Sequence, residues 1–310
     1  MRPFRFGVQI KSAPDGVGLA EIARRVEWLG YSTLTLPDHF DDQLAPVPAL
    51  QCIADATTAL RIGATVHDND YKHPVVLAKE LATLDVLSGG RLQVGLGAGW
   101  MATDYEQSGM VYDPPGVRID RMLEGLSVIR GAFGPSPFSF SGEHYTITDY
   151  NGFPKPLQSP PPLMIGGGGP RVLRIAAREA DIVGVNATLT SGAIDAASFA
   201  TMTAEAVDKK VAIVTEAADK AGRRDAIELS VRAFIVSVTD DVEGGLQMLA
   251  GFTGASAEMI AESPFALVGP PAKIVDDLLD RRSRWGFSYV VVGQNDIEPF
   301  APVVAQLSGR

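Results

Sequence analysis

The feature that most constrains this chain is a repeated unit in its first hundred residues, a short apolar strand followed by a helix. Apolar runs begin near residues 6, 34, 61 and 91, so successive strands start 28, 27 and 30 residues apart. Each gap is the length of one strand-helix unit. Strands that alternate with helices form a parallel sheet with right-handed crossovers. The runs are apolar almost throughout, which is typical of a sheet covered on both faces.

The rest of the chain continues this alternation after one interruption. Residues 101–160 hold an acidic loop, a helix over 120–133, a hairpin over 138–147 and a proline-rich connector. Further strands are predicted at 163–165, 182–185, 227–238 and 289–293, and a helix over 242–262 is interrupted at 251–254. We therefore predict the α/β class and a (β/α)8 TIM barrel with an insertion between strands 4 and 5, at about residues 101–160. We expect residues 1–310 to form a single domain.

Charge and composition exclude several classes of partner. The formal net charge is -10 with no basic stripe, so nucleic acid is not an expected partner. An anionic cofactor would have to be held by local backbone N–H groups and a few Arg or Lys side chains. No signal-peptide pattern or membrane-spanning apolar run is present, so we expect a cytoplasmic protein without a membrane partner. The single cysteine, Cys52, is expected to be a buried, inert thiol.

A run of four glycines is the strongest local motif. Gly166, Gly167, Gly168 and Gly169 follow a buried strand, and Pro170 then opens a helix. Glycine lets the backbone approach a ligand closely, and proline suits the first helical position. The free N–H groups at such a helix start favour a phosphate. A tight turn without a ligand is the alternative, and four consecutive glycines favour the phosphate site.

In a barrel of this kind the site lies on the loops that follow the strand ends. The residues at these positions are Gln9, Asp38, His39, Thr65, Val66, His67, Gly97, Ala98, Gly99, Trp100, the glycines 166–169, Asn186, Arg232 and Gln294. His39 is a candidate to donate to a cofactor or to change protonation near neutral pH. Trp100 is a candidate to cover a flat ligand. A packed histidine and a lid over the core are the alternatives. His67 has no second histidine at ligand spacing, so no metal site is predicted.

Several motifs together resemble one family. They are Leu36-Pro37-Asp38-His39-Phe40, the segment 73–100, the glycine turn within 162–185 and the Val-Gly-Pro-Pro segment that begins at Val268. With these motifs the chain resembles the luciferase-like monooxygenase superfamily, and more narrowly its coenzyme F420-dependent oxidoreductases. The resemblance covers nearly the whole chain in order.

The resemblance implies a set of cofactor-binding residues. Asp38 and His39 would lie against the deazaflavin ring. Thr65 and Val66 match the position of a non-proline cis peptide that forms a bulge behind the ring, and His67 follows it. Ala98, Gly99 and the glycines 166–169 would bind the phosphate-bearing tail. Trp100 stands where the sugar-phosphate dehydrogenase of this family has an acid/base glutamate. Asp42 and Gln43 stand where that enzyme has a tryptophan, so its substrate is not carried over.

We therefore expect an enzyme that transfers a hydride between coenzyme F420 and a small organic substrate, with His39 and Trp100 as candidate catalytic residues. One alternative keeps the fold and uses FMN, as a luciferase-like monooxygenase. Another is a cofactor-free barrel lyase or isomerase for a phosphorylated substrate. It needs a lysine or a carboxylate pair at the strand ends, where none is evident from the sequence. A non-catalytic deazaflavin-binding protein is the third. Because barrel helices often pair, we expect a homodimer.

Overall fold

A computed structural model describes residues 2–13 and 18–310. The strands are β1 (Arg5–Gln9), β2 (Thr33–Leu36), β3 (Arg61–Ala64), β4 (His67–Asp68), β5 (Val94–Gly97), β6 (Phe138–Ser141), β7 (Thr146–Tyr150), β8 (Leu163–Gly167), β9 (Ile182–Val185), β10 (Glu228–Arg232), β11 (Ile235–Val238), β12 (Ala266–Gly269) and β13 (Phe287–Gly293). The helices are α1 (Leu19–Trp28), α2 (Pro46–Ala56), α3 (Pro74–Leu87), α4 (Ala102–Ser108), α5 (Pro115–Phe133), α6 (Pro170–Glu179), α7 (Ala196–Ala200), α8 (Ala204–Lys220), α9 (Val242–Thr253), α10 (Ala257–Glu262), α11 (Pro271–Trp285) and α12 (Ala301–Leu307).

The main sheet is a parallel barrel. Its strand order is β3-β2-β1-β13-β10-β9-β8-β5-β4, and every neighbouring pair is parallel. A parallel bridge joins Ile62 of β3 to Leu92, just before β5, and β4 also pairs with β5, so β3 and β4 are two segments of one barrel position. The described residues thus supply eight barrel positions, and the predicted (β/α)8 TIM barrel is confirmed.

Two glycines let neighbouring barrel strands approach closely. A Cβ added at Gly63 would lie 2.2 Å from the carbonyl oxygen of Gln93. One added at Gly95 would lie 2.0 Å from the carbonyl oxygen of Ala64. Both separations are far below van der Waals contact, so a side chain at either position would push β3 and β5 apart.

A partly buried polar cluster lies at the amino ends of the barrel strands. The Arg5 guanidinium lies 2.6 Å from the Glu228 carboxylate and 3.5 Å from the centre of the Tyr289 ring. Burial of Arg5 lowers its pKa, but its contacts with Tyr289 and Glu228 outweigh this effect and raise the pKa above its ordinary value. Arg5 therefore stays charged and lines, together with Glu228, a cleft of about 520 Å³ at this end of the barrel.

The segment between the fourth and fifth barrel positions contains the predicted hairpin. Strands β6 and β7 pair antiparallel, and the turn between them is held by the Glu124 carboxylate, which accepts N–H bonds from Glu143, His144 and Tyr145. The segment before α5, which the sequence predicts to be an acidic loop, contains a short helix, α4. That residues 1–310 form a single domain stays a prediction.

Two expectations from the sequence are wrong. Residues 227–238 do not form one barrel strand: β10 ends at Arg232, and β11 pairs with β12 in a separate two-stranded sheet. The chain leaves the barrel because the N–H groups of Phe234 and Ile235 both bond to the carbonyl of Phe265. Cys52 is exposed, because α2 buries its opposite face through Leu50 and Ile53. Among the described residues, no helix is long and apolar enough to span a membrane.

Candidate functional site

A cavity of about 290 Å³ opens at the carboxyl ends of the barrel strands. It gathers most of the residues that follow the strands in the sequence. The predicted residues that line it are Gln9, Asp38, His39, Thr65, Val66, Gly97, Ala98, Gly99, Trp100, Gly166, Gly167, Gly168, Gly169, Asn186 and Arg232. His67 and Gln294 do not line it. The position of the cavity is the one expected for a ligand site in this fold.

His67 lies buried behind the cavity. It is 2% exposed, and its Nδ1 lies 3.4 Å from Oδ2 of Asp38. Its Nε2 has no hydrogen-bond partner in the described part of the chain. The same Asp38 oxygen accepts the backbone N–H of Asp68 at 3.2 Å. His67 therefore supports Asp38 from behind and has no direct access to a ligand in the cavity.

The glycine turn forms one wall of the cavity, and helix α6 begins directly after it. Pro170 is the first residue of α6, and its N-cap, Gly169, supplies no side-chain hydrogen bond. An added Cβ would meet nothing within 4 Å at Gly169, whereas at Gly168 it would lie 2.1 Å from the carbonyl oxygen of Ala187. This wall is therefore backbone with open space in front of an uncapped helix start, where an anion is stabilised.

The wall next to it is formed by Thr65 and Val66. Their peptide bond is cis, as the resemblance implies. The Val66 side chain packs against strand ends that have no side chains of their own: an added Cβ would lie 2.5 Å from Val66 Cγ2 at Gly97 and 3.6 Å from Val66 Cγ1 at Gly166. Val66 therefore presents an apolar surface to the cavity, between strand ends that carry no side chains.

A hydrogen-bonded chain crosses the base of the cavity. Nε2 of Gln9 donates to the carbonyl oxygen of Thr65 at 3.1 Å and to its Oγ1 at 2.8 Å. Oε1 of Gln9 in turn accepts from Nε of Arg232 at 3.0 Å. Burial lowers the pKa of Arg232 to about 10. Gln9 thus couples the bulge at Thr65 to a positive charge across the barrel mouth.

His39 and Trp100 meet edge to face at the cavity mouth. Their ring centres are 5.5 Å apart with an interplanar angle of 83°. Nδ1 of His39 lies 2.7 Å from Oδ2 of Asp104, a buried residue of α4. The adjacent Asp38 does not pair with His39. Asp104 was missed because nothing in the sequence of α4 indicates that it packs against the loop after β2.

Two carboxylates, Asp38 and Asp68, line the cavity together. The expectation that no carboxylate pair lies at the strand ends is therefore wrong. Burial raises the pKa of Asp68 to about 7, and the charges of Asp70 and Asp38 act in the same direction. Asp68 also accepts the N–H of Asp70 at 2.9 Å and the hydroxyl of Tyr105 at 3.1 Å. Both of these bonds oppose the rise.

The turn after β5 is supported by Arg118. This buried side chain lines the cavity and donates to the carbonyl oxygens of Ala98, Gly99 and Asp113. Gly99 has a φ of 71°, and an added Cβ would lie 2.0 Å from the Tyr105 hydroxyl, so only glycine fits. Arg118 therefore fixes this turn and adds a positive charge to the cavity wall. Across residues 2–13 and 18–310, no group of three His, Cys, Asp or Glu is arranged to hold a metal ion.

The fold and this cavity define a (β/α)8-barrel protein with a ligand pocket at the carboxyl ends of its strands. The sequence model of the luciferase-like monooxygenase family matches residues 1–289, and the chain belongs to that family.

Two curated relatives show how the chain compares with known proteins. It is 26% identical over 212 residues to an FMNH(2)-dependent dimethylsulfone monooxygenase of Pseudomonas putida, a match that covers 62% of this chain and 58% of that protein. It is 30% identical over 171 residues to an F420-dependent glucose-6-phosphate dehydrogenase of Amycolatopsis mediterranei, covering 53% of this chain and 51% of that protein. The chain thus spans little more than half the length of these two relatives.

A solved structure extends the comparison to the whole fold. The coenzyme F420-dependent tetrahydromethanopterin reductase of Methanopyrus kandleri superposes with a TM-score of 0.79, covering 99% of this chain and 100% of that one. At 20% sequence identity, this likeness shows the shared barrel.

Proposed function

We propose that this protein is a coenzyme F420-dependent oxidoreductase that transfers a hydride between the deazaflavin and a small organic substrate. One observation carries the proposal. The uncapped start of α6, behind the open backbone at Gly169, faces the same cavity as the apolar wall at Val66. A phosphate-bearing ligand with a planar ring needs these two features side by side.

The residues present fit such a cofactor. The glycines 166–169 and the first N–H groups of α6 would hold the phosphate-bearing tail, with Ala98 and Gly99 beside them at the end of the neighbouring strand β5. Thr65 and Val66 would face the ring, with Asp38 and His39 near its edge. When bound, the deazaflavin accepts or donates the hydride, while the barrel orients it and excludes water. His39 would hold or release a proton at the substrate.

The relatives include users of both cofactors, so FMN is kept as the second candidate. The match to an F420-dependent dehydrogenase is 30% identical over 171 residues, and the match to an FMNH(2)-dependent monooxygenase is 26% identical over 212 residues. Both cofactors carry a phosphate, so the α6 site fits either one. The substrate is not proposed to be glucose 6-phosphate, because the indole of Trp100 occupies the cavity wall beside His39 where an acid/base glutamate would be needed.

Titration of the purified apoprotein with each cofactor tests the proposal. We expect saturable binding of F420, followed by optical changes of the deazaflavin, and much weaker binding of FMN. Tight FMN binding without F420 binding would replace this proposal with the monooxygenase.

A pair of variants at Gly169 tests the site itself. Gly169 has N-cap backbone angles, φ -80° and ψ 147°, which suit both Asp and Asn. Both substitutions cap α6, so each variant should be at least as stable as the wild type. Gly169→Asp adds a negative charge where the phosphate is expected and should weaken F420 binding at least tenfold more than Gly169→Asn. Equal F420 affinities of these two variants would show that the phosphate-bearing tail does not bind at the start of α6.

Two alternative functions of other classes can be tested with the same purified protein. A cofactor-free lyase or isomerase would use Asp38 and Asp68, but both carboxylates already accept hydrogen bonds from the protein. A non-catalytic deazaflavin-binding protein would hold the reduced cofactor without turnover. Offering the reduced complex a panel of enones, imines and quinones separates the cases, because reoxidation by any member demonstrates an enzyme.

A further inference from the structure

We infer that Asp104 is a positioning residue that fixes His39 as the tautomer protonated at Nδ1. His39 belongs to the loop after β2, and Asp104 belongs to α4, in the segment between the fourth and fifth barrel positions. The inference deepens the proposed function, on which its catalytic part rests, because it assigns the protein group that prepares His39 for proton transfer.

Three donors converge on the Asp104 carboxylate. Oδ2 lies 2.7 Å from Nδ1 of His39 and 2.7 Å from the hydroxyl of Tyr71. Oδ1 accepts the backbone N–H of Phe40 at 3.3 Å. Only 4% of the Asp104 side chain is exposed, so these contacts are shielded from water. A carboxylate that is ionised accepts hydrogen bonds and donates none. The proton between Asp104 and His39 therefore belongs to Nδ1 of the imidazole.

Tyr71 donates a hydrogen bond to Asp104 and cannot replace it as the acceptor of the His39 N–H. Burial raises the pKa of Tyr71, and the hydrogen bond to Asp104 raises it further, so its hydroxyl stays protonated. Its ring stacks on Phe40 with centres 4.3 Å apart, and Tyr105 lies edge-on at 5.9 Å. The Tyr71 hydroxyl is thereby held as a donor to Oδ2, which keeps that oxygen directed at His39.

The other charged groups near His39 are already engaged. Asp38 accepts the N–H of Asp68 and lies 3.4 Å from His67. Asp68 accepts from Asp70 and Tyr105. Asp104 is therefore the carboxylate left to pair with His39 among the described residues that line or flank this end of the cavity.

This pairing leaves Nε2 as the free atom of the imidazole. Nε2 of His39 makes no hydrogen bond within the described part of the chain, and its ring lines the cavity. If the substrate were an alcohol that gives its hydride to the deazaflavin, Nε2 of His39 would accept the hydroxyl proton, and the resulting imidazolium would lie beside the Asp104 carboxylate. In the direction of carbonyl reduction, the same nitrogen would return the proton to the oxygen.

Nitrogen-15 NMR of the apoprotein tests the inference without cofactor or substrate. The chain has four histidines, and His39→Gln identifies the signal of His39 by its loss. For the neutral form of the wild-type His39 imidazole, we expect a proton on Nδ1 and an unprotonated Nε2. A wild-type His39 protonated at Nε2 would overturn the inference.

Asp104→Asn provides the second arm. The amide keeps the size of the carboxylate but presents an N–H to Nδ1, so the tautomer should switch to Nε2–H. Glu106→Gln, on the exposed face of the same helix, removes an equal charge and should leave the tautomer unchanged. Asp104→Glu restores a carboxylate and should favour the wild-type tautomer. If Asp104→Asn leaves the tautomer unchanged, the inference is wrong. If that variant does not fold, the wild-type spectrum still tests the inference. Tyr71→Phe retains the Asp104 carboxylate and should keep His39 protonated at Nδ1.

Kinetics on an accepted substrate separate this inference from the proposed function. Asp104→Asn should lower kcat by about 10²- to 10⁴-fold, the range for loss of general acid–base catalysis, with an unchanged Kd for F420. An equal loss of F420 binding would instead indicate a structural role. An apoprotein with the expected tautomer but no affinity for F420 would contradict the proposed function and leave the Asp104–His39 pairing in place.

Discussion

At the scale of single residues, the site depends on which side chains share a proton or a hydrogen bond. Sequence order suggests that Asp38 and His39 belong together, but each pairs with a distant partner. Asp38 lies against His67, and His39 bonds to Asp104. Adjacent residues at a strand end point in different directions, so tertiary contacts decide their partners. The residues at the strand ends could be identified from the sequence, whereas their pairing could not.

Asp68 gives a prediction about stability and pH. Its pKa of about 7 in the folded chain lies above the ~3.9 of an unfolded aspartate. The folded state therefore binds this proton more tightly, and the contribution of Asp68 to stability falls as pH rises from about 4 to about 7. Relative to Asp68→Asn, we expect the wild type to lose up to about 4 kcal/mol of unfolding free energy across this window.

Urea unfolding of both proteins at several pH values measures this difference. Glu106→Gln serves as the control, because this exposed carboxylate should give no pH-dependent difference from the wild type. A wild type and Asp68→Asn whose stabilities run parallel from pH 4 to pH 8 would show that folding does not raise the pKa of Asp68.

At the scale of elements, the close approach of β3 and β5 is the most sensitive contact of the barrel. A Cβ at position 95 would overlap the carbonyl oxygen of Ala64 at 2.0 Å. Gly95→Ala should therefore destabilise the protein by about 1–3 kcal/mol, the range for overpacking. Gly251→Ala, in α9 with nothing within 4 Å, should leave stability unchanged or slightly raise it. Thermal unfolding compares them, and equal melting temperatures would contradict the packing argument.

Helix α8 holds the segment that closes one side of the cavity. Nζ of Lys210 donates to the carbonyl oxygens of Asn186 and Thr201, at 2.6 and 2.8 Å. Burial lowers the pKa of Lys210 to about 8. Lys210→Met leaves both carbonyls without this donor and should cost about 1–3 kcal/mol.

Limited proteolysis within residues 187–200, together with urea unfolding, measures this effect. The matched control is Lys209→Met, since Lys209 is exposed and pairs with Glu205 on the surface of α8. We expect faster cleavage only for Lys210→Met. Identical cleavage rates for the two variants would show that Lys210 does not restrain the segment.

Elements differ in how well their sequences reveal them. Helix α3 could be predicted to the residue, since Pro74 opens it and glycines follow Ser88. Helix α4 could not, because its seven residues are mostly polar and lack a helical pattern. Strand β12 has four residues and merges with the helix start that follows it. Short elements outside the barrel depend on tertiary contacts, so local periodicity does not mark them.

At the scale of the whole molecule, the charge opposes the ligand that the site is proposed to bind. The net charge is -10, whereas the cofactor would be held by local N–H groups and Arg118. Long-range repulsion is screened as the Debye length falls from about 30 Å at 0.01 M salt to about 8 Å at 0.15 M. We therefore expect the association rate with F420 to rise over this range, measured by stopped-flow. A falling rate would indicate net attraction at the cavity mouth.

The overall architecture was the most predictable property of the chain. The spacing of apolar runs is set by the geometry of the strand-helix unit, so it indicated the barrel without knowledge of any contact. The glycine turn likewise revealed its wall of the cavity. Arg232 could be placed at a strand end, but the departure of the chain from the barrel after it depends on hydrogen bonds to Phe265, more than 30 residues later.

The contact of Trp100 with His39 also makes the molecule its own optical sensor. Of three tryptophans, Trp28 is exposed on α1 and Trp285 ends α11, so only Trp100 lines the cavity among the described residues. Its emission should be quenched when a ring that absorbs in the near ultraviolet arrives beside it. Trp100→Phe should abolish most of that quenching, and Trp28→Phe should not. Occupancy of the cavity can thus be followed by light emitted from the protein, before any substrate is known.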